Sequence, residues 1–274
     1  MRTNSTNPAI FQGGKNVYGA AVGILMLETS FPRVLGDIGN AATWPFPVMY
    51  RVVPDASPDH VVRRRGEGLL EAFISAGRDM VRHGADGITT NCGFLALFQD
   101  ELATALGVPV ANSSLMQLPF VERMLPAGKR VGVLTISAAS LTADPLKGTG
   151  VAPNTPIVGT DSGRHFSRAI LEDEAELDVE ASRLDLLDAG QTLLQRHPDI
   201  GAMVLECTNM VPYAADLRRT FGLPVYSIYT LLTWFPAGLL RAVFCLNSTT
   251  RARKENRSVP QPSFSTRFRR CHKR

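Results

Sequence analysis

The chain of 274 residues is 45% hydrophobic and 20% charged, enough for one large α/β domain or two smaller ones with buried cores. No run approaches the roughly 18 apolar residues of a spanning helix, and the opening MRTNSTNPAIFQGGKN lacks the apolar stretch of a signal peptide, so a cytoplasmic protein is expected. Four cysteines without a CxxC pair or a histidine cluster predict reduced thiols and argue against a metal site.

In chain order, the pattern alternates strand and helix. Gly13-Gly14-Lys15 lacks P-loop spacing, and no GxGxxG occurs, so no dinucleotide site is supported. Ala20–Leu27 and Val48–Val53 are apolar runs of strand length. Between them lies a long loop rich in Gly, Pro and Asn, Thr29–Pro47, in which Trp44 and Phe46 are expected to wall a cleft. Val61–His83 carries helical periodicity and stops at Gly84. There follow a strand through DGITTNC, a helix over Phe94–Leu106, the strand VPV and a helix over Leu115–Leu125. Such alternation predicts a mostly parallel sheet covered by helices.

The second half repeats this plan: the strand Arg130–Thr135, an acidic helix over Glu176–Gln195, the strand GAMVLEC and a helix over Val211–Phe221. Cys92 is followed fifteen residues later by Gly-Val-Pro-Val, and Cys207 fifteen residues later by Gly-Leu-Pro-Val. The two halves are offset by 115 residues, a pseudo-duplication that pairs the cysteines.

The chain ends in a basic segment. Nine Lys/Arg and one acid, Glu255, fall between Leu246 and Arg274, so the first 245 residues hold 20 basic and 24 acidic residues. Few aliphatics, two prolines and excess charge predict disorder there. It reads as an appendage without a specific nucleic-acid or membrane partner. Cys245 and Cys271 read as structural and incidental.

Ligands bind at the carboxyl ends of parallel strands, where both Cys92 and Cys207 are placed. A helix start beside each thiol is expected to favour thiolate. Two sulfurs facing across a cleft suit stereoinversion at a carbon acid: one thiolate removes a proton from Cα and the other thiol returns one to the opposite face. Backbone N–H groups at the helix starts would hold a substrate carboxylate.

The segments GADGITTNCGFLALF, VGVLT and MVLECTNMVPYAADLRRTFGLPVYSI resemble the aspartate/glutamate/hydantoin racemase superfamily, over about Tyr18 to Leu240. The resemblance implies an α/β protein of two similar Rossmann- or flavodoxin-like parallel-sheet domains related by a pseudo-twofold axis. One domain would comprise 17–112 with 228–245 and the other 113–227, leaving 1–16 and 246–274 disordered. It further implies catalysis by Cys92 and Cys207 without PLP, metal or other cofactor, a small anionic substrate, and a homo-oligomer, with a dimer expected.

The chain departs from glutamate-type racemases around both cysteines: Gly93-Phe94 replaces Asn-Thr, and Thr208-Asn209 replaces Thr-His. Substrate contacts are expected from Asn91, Gly93, Thr208 and Asn209, and from Thr29, Asn40 and Thr135. Glu206, an acid in an apolar strand, should turn away from Cys207 if the strand is regular, as a functional group or an interdomain partner. The expected activity is a racemase or epimerase. The alternatives are a maleate-type cis–trans isomerase or a catalytically silent binding paralogue; decarboxylation of a malonate fits less well, since one cysteine suffices there.

Overall fold

The computed structural model describes residues 13–239. Within them the chain builds two four-stranded parallel sheets with the same strand order. In the first half, β1 (Val22–Leu27), β2 (Val48–Val53), β3 (Gly87–Thr90) and β4 (Val110–Ala111) lie in the order β2-β1-β3-β4. Helices α1 (Pro58–Val62), α2 (Leu70–His83) and α3 (Gln99–Leu106) accompany them, and α4 (Leu118–Met124) leads into the second half. There β5 (Arg130–Thr135), β6 (Ile157–Gly159), β7 (Ile200–Leu205) and β8 (Val225–Tyr226) lie in the order β6-β5-β7-β8. The helices of this half are α5 (Ala143–Lys147), α6 (Phe166–Leu171), α7 (Val179–Arg196) and α8 (Ala214–Phe221); α9 (Ile228–Leu239) follows β8.

The central strands are buried on both faces because helices cover both faces: β1, β3 and most of β7 are wholly buried. One core cluster runs continuously through both sheets, from Leu25, Phe73 and Ile88 to Val133, Leu193 and Val204. A second lies on the other face of β1, where Val22, Ile24 and Met26 pack against Ile228, Leu232 and Phe235 of α9. The last helix therefore rests on the first sheet.

Several helices are shorter than their periodicity predicts. The expected helix over Val61–His83 is split, because Arg65, Gly66 and Gly68 adopt positive φ between α1 and α2. After each cysteine the chain makes a 3₁₀ turn before the α-helix begins, at Gly93–Phe98 and at Thr208–Tyr213. Both α3 and α8 end on a left-handed glycine, Gly107 (φ 65°) and Gly222 (φ 66°), which releases the chain into the Val/Leu-Pro-Val strand. These elements coincide at the 115-residue offset, so the repeat in the sequence is a repeat of backbone.

Among the described residues no helix is long and apolar enough to cross a membrane. The tail from Leu246, Cys245 and Cys271 lie outside the described residues.

Candidate active site

In each sheet the strand order reverses between its first and third strands, and the crevice at their carboxyl ends is where open α/β sheets bind ligands. Cys92 follows β3 by two residues and Cys207 follows β7 by two. Each holds extended backbone and accepts the first bond of its 3₁₀ turn, Leu95 N–H to the Cys92 carbonyl and Met210 N–H to the Cys207 carbonyl, both 3.1 Å. Both sulfurs line one cavity between the halves, together with Asn91, Glu206 and Asn209, the loop residues Thr29, Phe31 and Arg33, and Ile170 and Leu171 of α6.

The cavity measures about 20 Å³, room for roughly one water. Its roof is tied down across the halves. Asp173, just after α6, accepts from the Ser30 and Phe31 amides (2.6 and 3.1 Å), and Arg63 pairs with Glu172 at 2.8 Å.

The electrostatics correct the expectation of ready thiolates. Burial and the neighbouring Glu206 charge push the Cys92 thiol up to about 12, although the Phe94 and Leu95 amides and Arg33 oppose the shift. Cys207 is raised as well, by burial first and then by the Glu206, Cys92 and Asp37 charges, with the Asn209 amide opposing. A 3₁₀ turn supplies too few aligned N–H groups to outweigh desolvation. Glu206 is the group poised near neutrality: burial lifts its carboxyl to about 7, against the Thr135 hydroxyl and the Ile136 amide, which favour the charged form.

Glu206 does not turn away from the site. Strand β7 ends at Leu205, so alternation no longer governs the next two residues, and Glu206 and Cys207 both line the cavity. Its Oε2 accepts from Thr135 Oγ1 at 2.8 Å, while Oε1 has no hydrogen-bond partner among the described residues.

A second polar chain runs from the Thr29–Pro47 loop. Arg33 donates to Asp37 (2.9 Å) and to Thr29 Oγ1 (2.8 Å), and its guanidinium lies 4.7 Å from the centre of the Phe31 ring. The buried Asp37 accepts from Asn209 Nδ2 (2.5 Å), and Asn209 Oδ1 accepts from the Cys207 thiol (3.4 Å). Residue identity held a signal for this: Arg33 is the sole cation of that loop and Asp37 its sole acid.

The remaining expected contacts divide. Asn91 lines the cavity, but its Oδ1 accepts from the Leu27 amide at 2.7 Å. Gly93 lies against Glu206 rather than the cavity, where a Cβ would stand 2.3 Å from Oε1; it is glycine to let the halves close. Thr208 ties the halves together, its hydroxyl donating to the Asn91 carbonyl at 2.5 Å. Thr135 serves Glu206. Asn40 caps the short turn Ala41–Thr43 and donates to the Arg33 carbonyl, away from the cavity. Nor do Trp44 and Phe46 wall it: Trp44 stacks on Tyr229 of α9 with ring centres 5.6 Å apart.

Dimethylsulfoniopropionate lyase 7 of Emiliania huxleyi (strain CCMP1516) is 30% identical over 235 residues, covering 80% of this chain and 67% of the relative. The chain belongs to the dimethylsulfoniopropionate lyase family. The dimethylsulfoniopropionate lyase of Durusdinium sp. clade D is 27% identical over 244 residues, 82% of this chain and 77% of that one. No family model matches the chain.

Among solved structures, arylmalonate decarboxylase in a sulfate-associated form aligns with a TM-score of 0.54 at 17% identity, over 80% of this chain and 92% of that one. Allantoin racemase from Pseudomonas fluorescens aligns with a TM-score of 0.52 at 15% identity, over 85% and 98%. The chain shares the fold of these two proteins, the paired parallel-sheet α/β arrangement that the resemblance implied. The expected isomerase activity is overturned, because the family relatives are lyases. The scaffold was legible; the reaction on it was not.

Proposed function

We propose that this protein is a lyase that cleaves dimethylsulfoniopropionate by β-elimination, with Cys92 and Cys207 as its reacting groups. The observation that carries the reading is the convergence of two thiols and a buried carboxylate on one small cavity, in a chain whose family relatives are lyases of that name. The substrate bears a carboxylate at one end and a dimethylsulfonium at the other. A thiolate of the pair removes a proton from Cα; its electron pair becomes the Cα=Cβ bond, and the Cβ–S bond breaks with its pair passing to sulfur. Acrylate and neutral dimethyl sulfide result, so the step needs only a base and a good leaving group.

Several features support this chemistry. Arg33, held by Asp37 and Thr29, is the cation of the cavity and suits a substrate carboxylate. Phe31 and Phe94 line the same space and make it apolar around the sulfurs. An apolar lining favours a reaction that turns a sulfonium cation into a neutral sulfide. The small cavity limits water around the reacting carbon while the carbanion character develops.

The test is release of dimethyl sulfide from dimethylsulfoniopropionate by the purified full chain, followed by gas chromatography, with Cys92→Ala and Cys207→Ala as controls. Release by the wild type that both variants lose is the expected outcome; no release, or release untouched by either change, overturns the reading.

A further inference from the structure

The elimination leaves Glu206 without a task. It is 1% exposed, and its Oε2 is fixed by Thr135 while Oε1 stands unpartnered among the described residues. It shares one cavity with both sulfurs. The Cys92 turn reaches this carboxylate only because residue 93 has no side chain: a Cβ there would meet Oε1 at 2.3 Å and the Glu206 carbonyl at 2.4 Å. Burying a carboxylate with an idle oxygen is costly for the fold.

We propose that Glu206 accepts the proton a cysteine must shed before it can act as the base, so that carboxylate and thiol form one relay. This rests on the lyase reading. The cavity has room for one water to bridge thiol and carboxylate: the S–H proton passes to that water, the water gives a proton to Oε1, and sulfur keeps the pair as thiolate. The thiolate then takes the Cα proton and is a thiol again as acrylate and dimethyl sulfide form. Protonated Glu206 returns to carboxylate by giving its proton to solvent, so each turnover releases one proton with the two products.

Charge makes the relay less costly than ionising a thiol to solvent. Ionising a thiol to solvent would leave two negative charges in an apolar cavity, thiolate beside carboxylate. Passing the proton to Glu206 relocates one charge instead of creating a second. Carboxylate and both thiols line one cavity, and the Glu206 charge is among the causes that raise both thiols. The other buried acid nearby does not serve: Asp37 is saturated by Arg33, the Gly39 amide and Asn209.

The relay predicts opposite shifts in one variant. In Glu206→Gln, dimethyl sulfide release at pH 7 should fall about 100-fold, the usual scale of a lost proton-transfer group, and the rise of kcat/KM near pH 7 should vanish. Yet without the repelling charge, Cys92 and Cys207 should be alkylated by iodoacetamide at lower pH than in the wild type, read by peptide mass mapping without substrate. A merely structural residue would not make the thiols easier to ionise and the enzyme slower. Thr135→Val, which removes the bond favouring carboxylate, should move the kcat/KM rise to higher pH, and carries the test should Glu206→Gln not fold. A wild-type pH profile in either variant, or unchanged alkylation in Glu206→Gln, overturns the relay. If the wild type releases no dimethyl sulfide the lyase reading falls by itself, and the alkylation arm still decides whether carboxylate and thiols are coupled.

Discussion

The two cysteine turns share a backbone and differ in their charges. Asn91-Cys92-Gly93 in the first half occupies the positions of Glu206-Cys207-Thr208 in the second, at the same distance from equivalent strands and turns. Asn91 caps the end of β1 through the Leu27 amide; Glu206 binds the end of β5 through Thr135. One half thus puts a neutral amide beside its sulfur and the other a carboxylate lifted to about 7. Stereoinversion asks for similar groups on both faces of a carbon. Elimination asks for a base and a path for one proton, and an asymmetric pair of turns matches that need.

The strongest way to break the comparison is to remove a sulfur from either half. Cys92→Ala and Cys207→Ala should each lower kcat/KM for dimethyl sulfide release by about 10³-fold or more, the scale expected when an essential proton-transfer group is lost. A variant retaining a tenth of wild-type activity would show that its half contributes only shape.

Next comes the titration that one half has and the other lacks. A carboxyl raised in the folded state binds more protons folded than unfolded, so its contribution to stability is full below its ordinary value and is lost as pH rises through the folded value. For Glu206 that window runs from about 4.5 to about 7. Glu206→Gln should therefore gain up to about 3 kcal/mol over wild type between pH 4 and pH 8 in urea unfolding. A gap that does not change with pH would mean the carboxylate is paired in the folded protein.

Smaller effects sharpen the interface between the turns. Gly93→Ala should cost about 1–3 kcal/mol and displace Glu206, because the new Cβ meets carboxylate and backbone together; thermal unfolding and the kcat/KM pH profile check both. At the equivalent position, Thr208→Ala removes one buried hydrogen bond and should cost about 1 kcal/mol with the pH profile unchanged. Equal losses at the two positions would end the claim that the first half yields space to the second half's acid.

Much of the architecture could be read from residues, because it depends on local pattern. Apolar runs gave the strands, and Gly107 and Gly222 marked the helix ends. The 115-residue repeat placed Cys92 and Cys207 at matching strand ends, since backbone geometry follows such spacing. Where periodicity ran across a break, as at Gly66 and Gly68, or through the 3₁₀ turns after each cysteine, it overestimated helix length: hydrophobic spacing does not register the pitch of the backbone.

Tertiary structure decided the chemistry. Helix starts promise a lowered thiol value, but desolvation by surrounding side chains reverses the sign. Alternation turns Glu206 away, but the strand ends one residue before it. Arg33 and Asp37 reach the site from a loop whose path no period encodes, while Asn40, Trp44 and Thr208 are spent holding other parts together. Burial, charge coupling and the approach of two halves are set by residues far apart in the chain. A linear pattern therefore fixes which groups stand at the strand ends, while the packed structure fixes which of them can lose a proton.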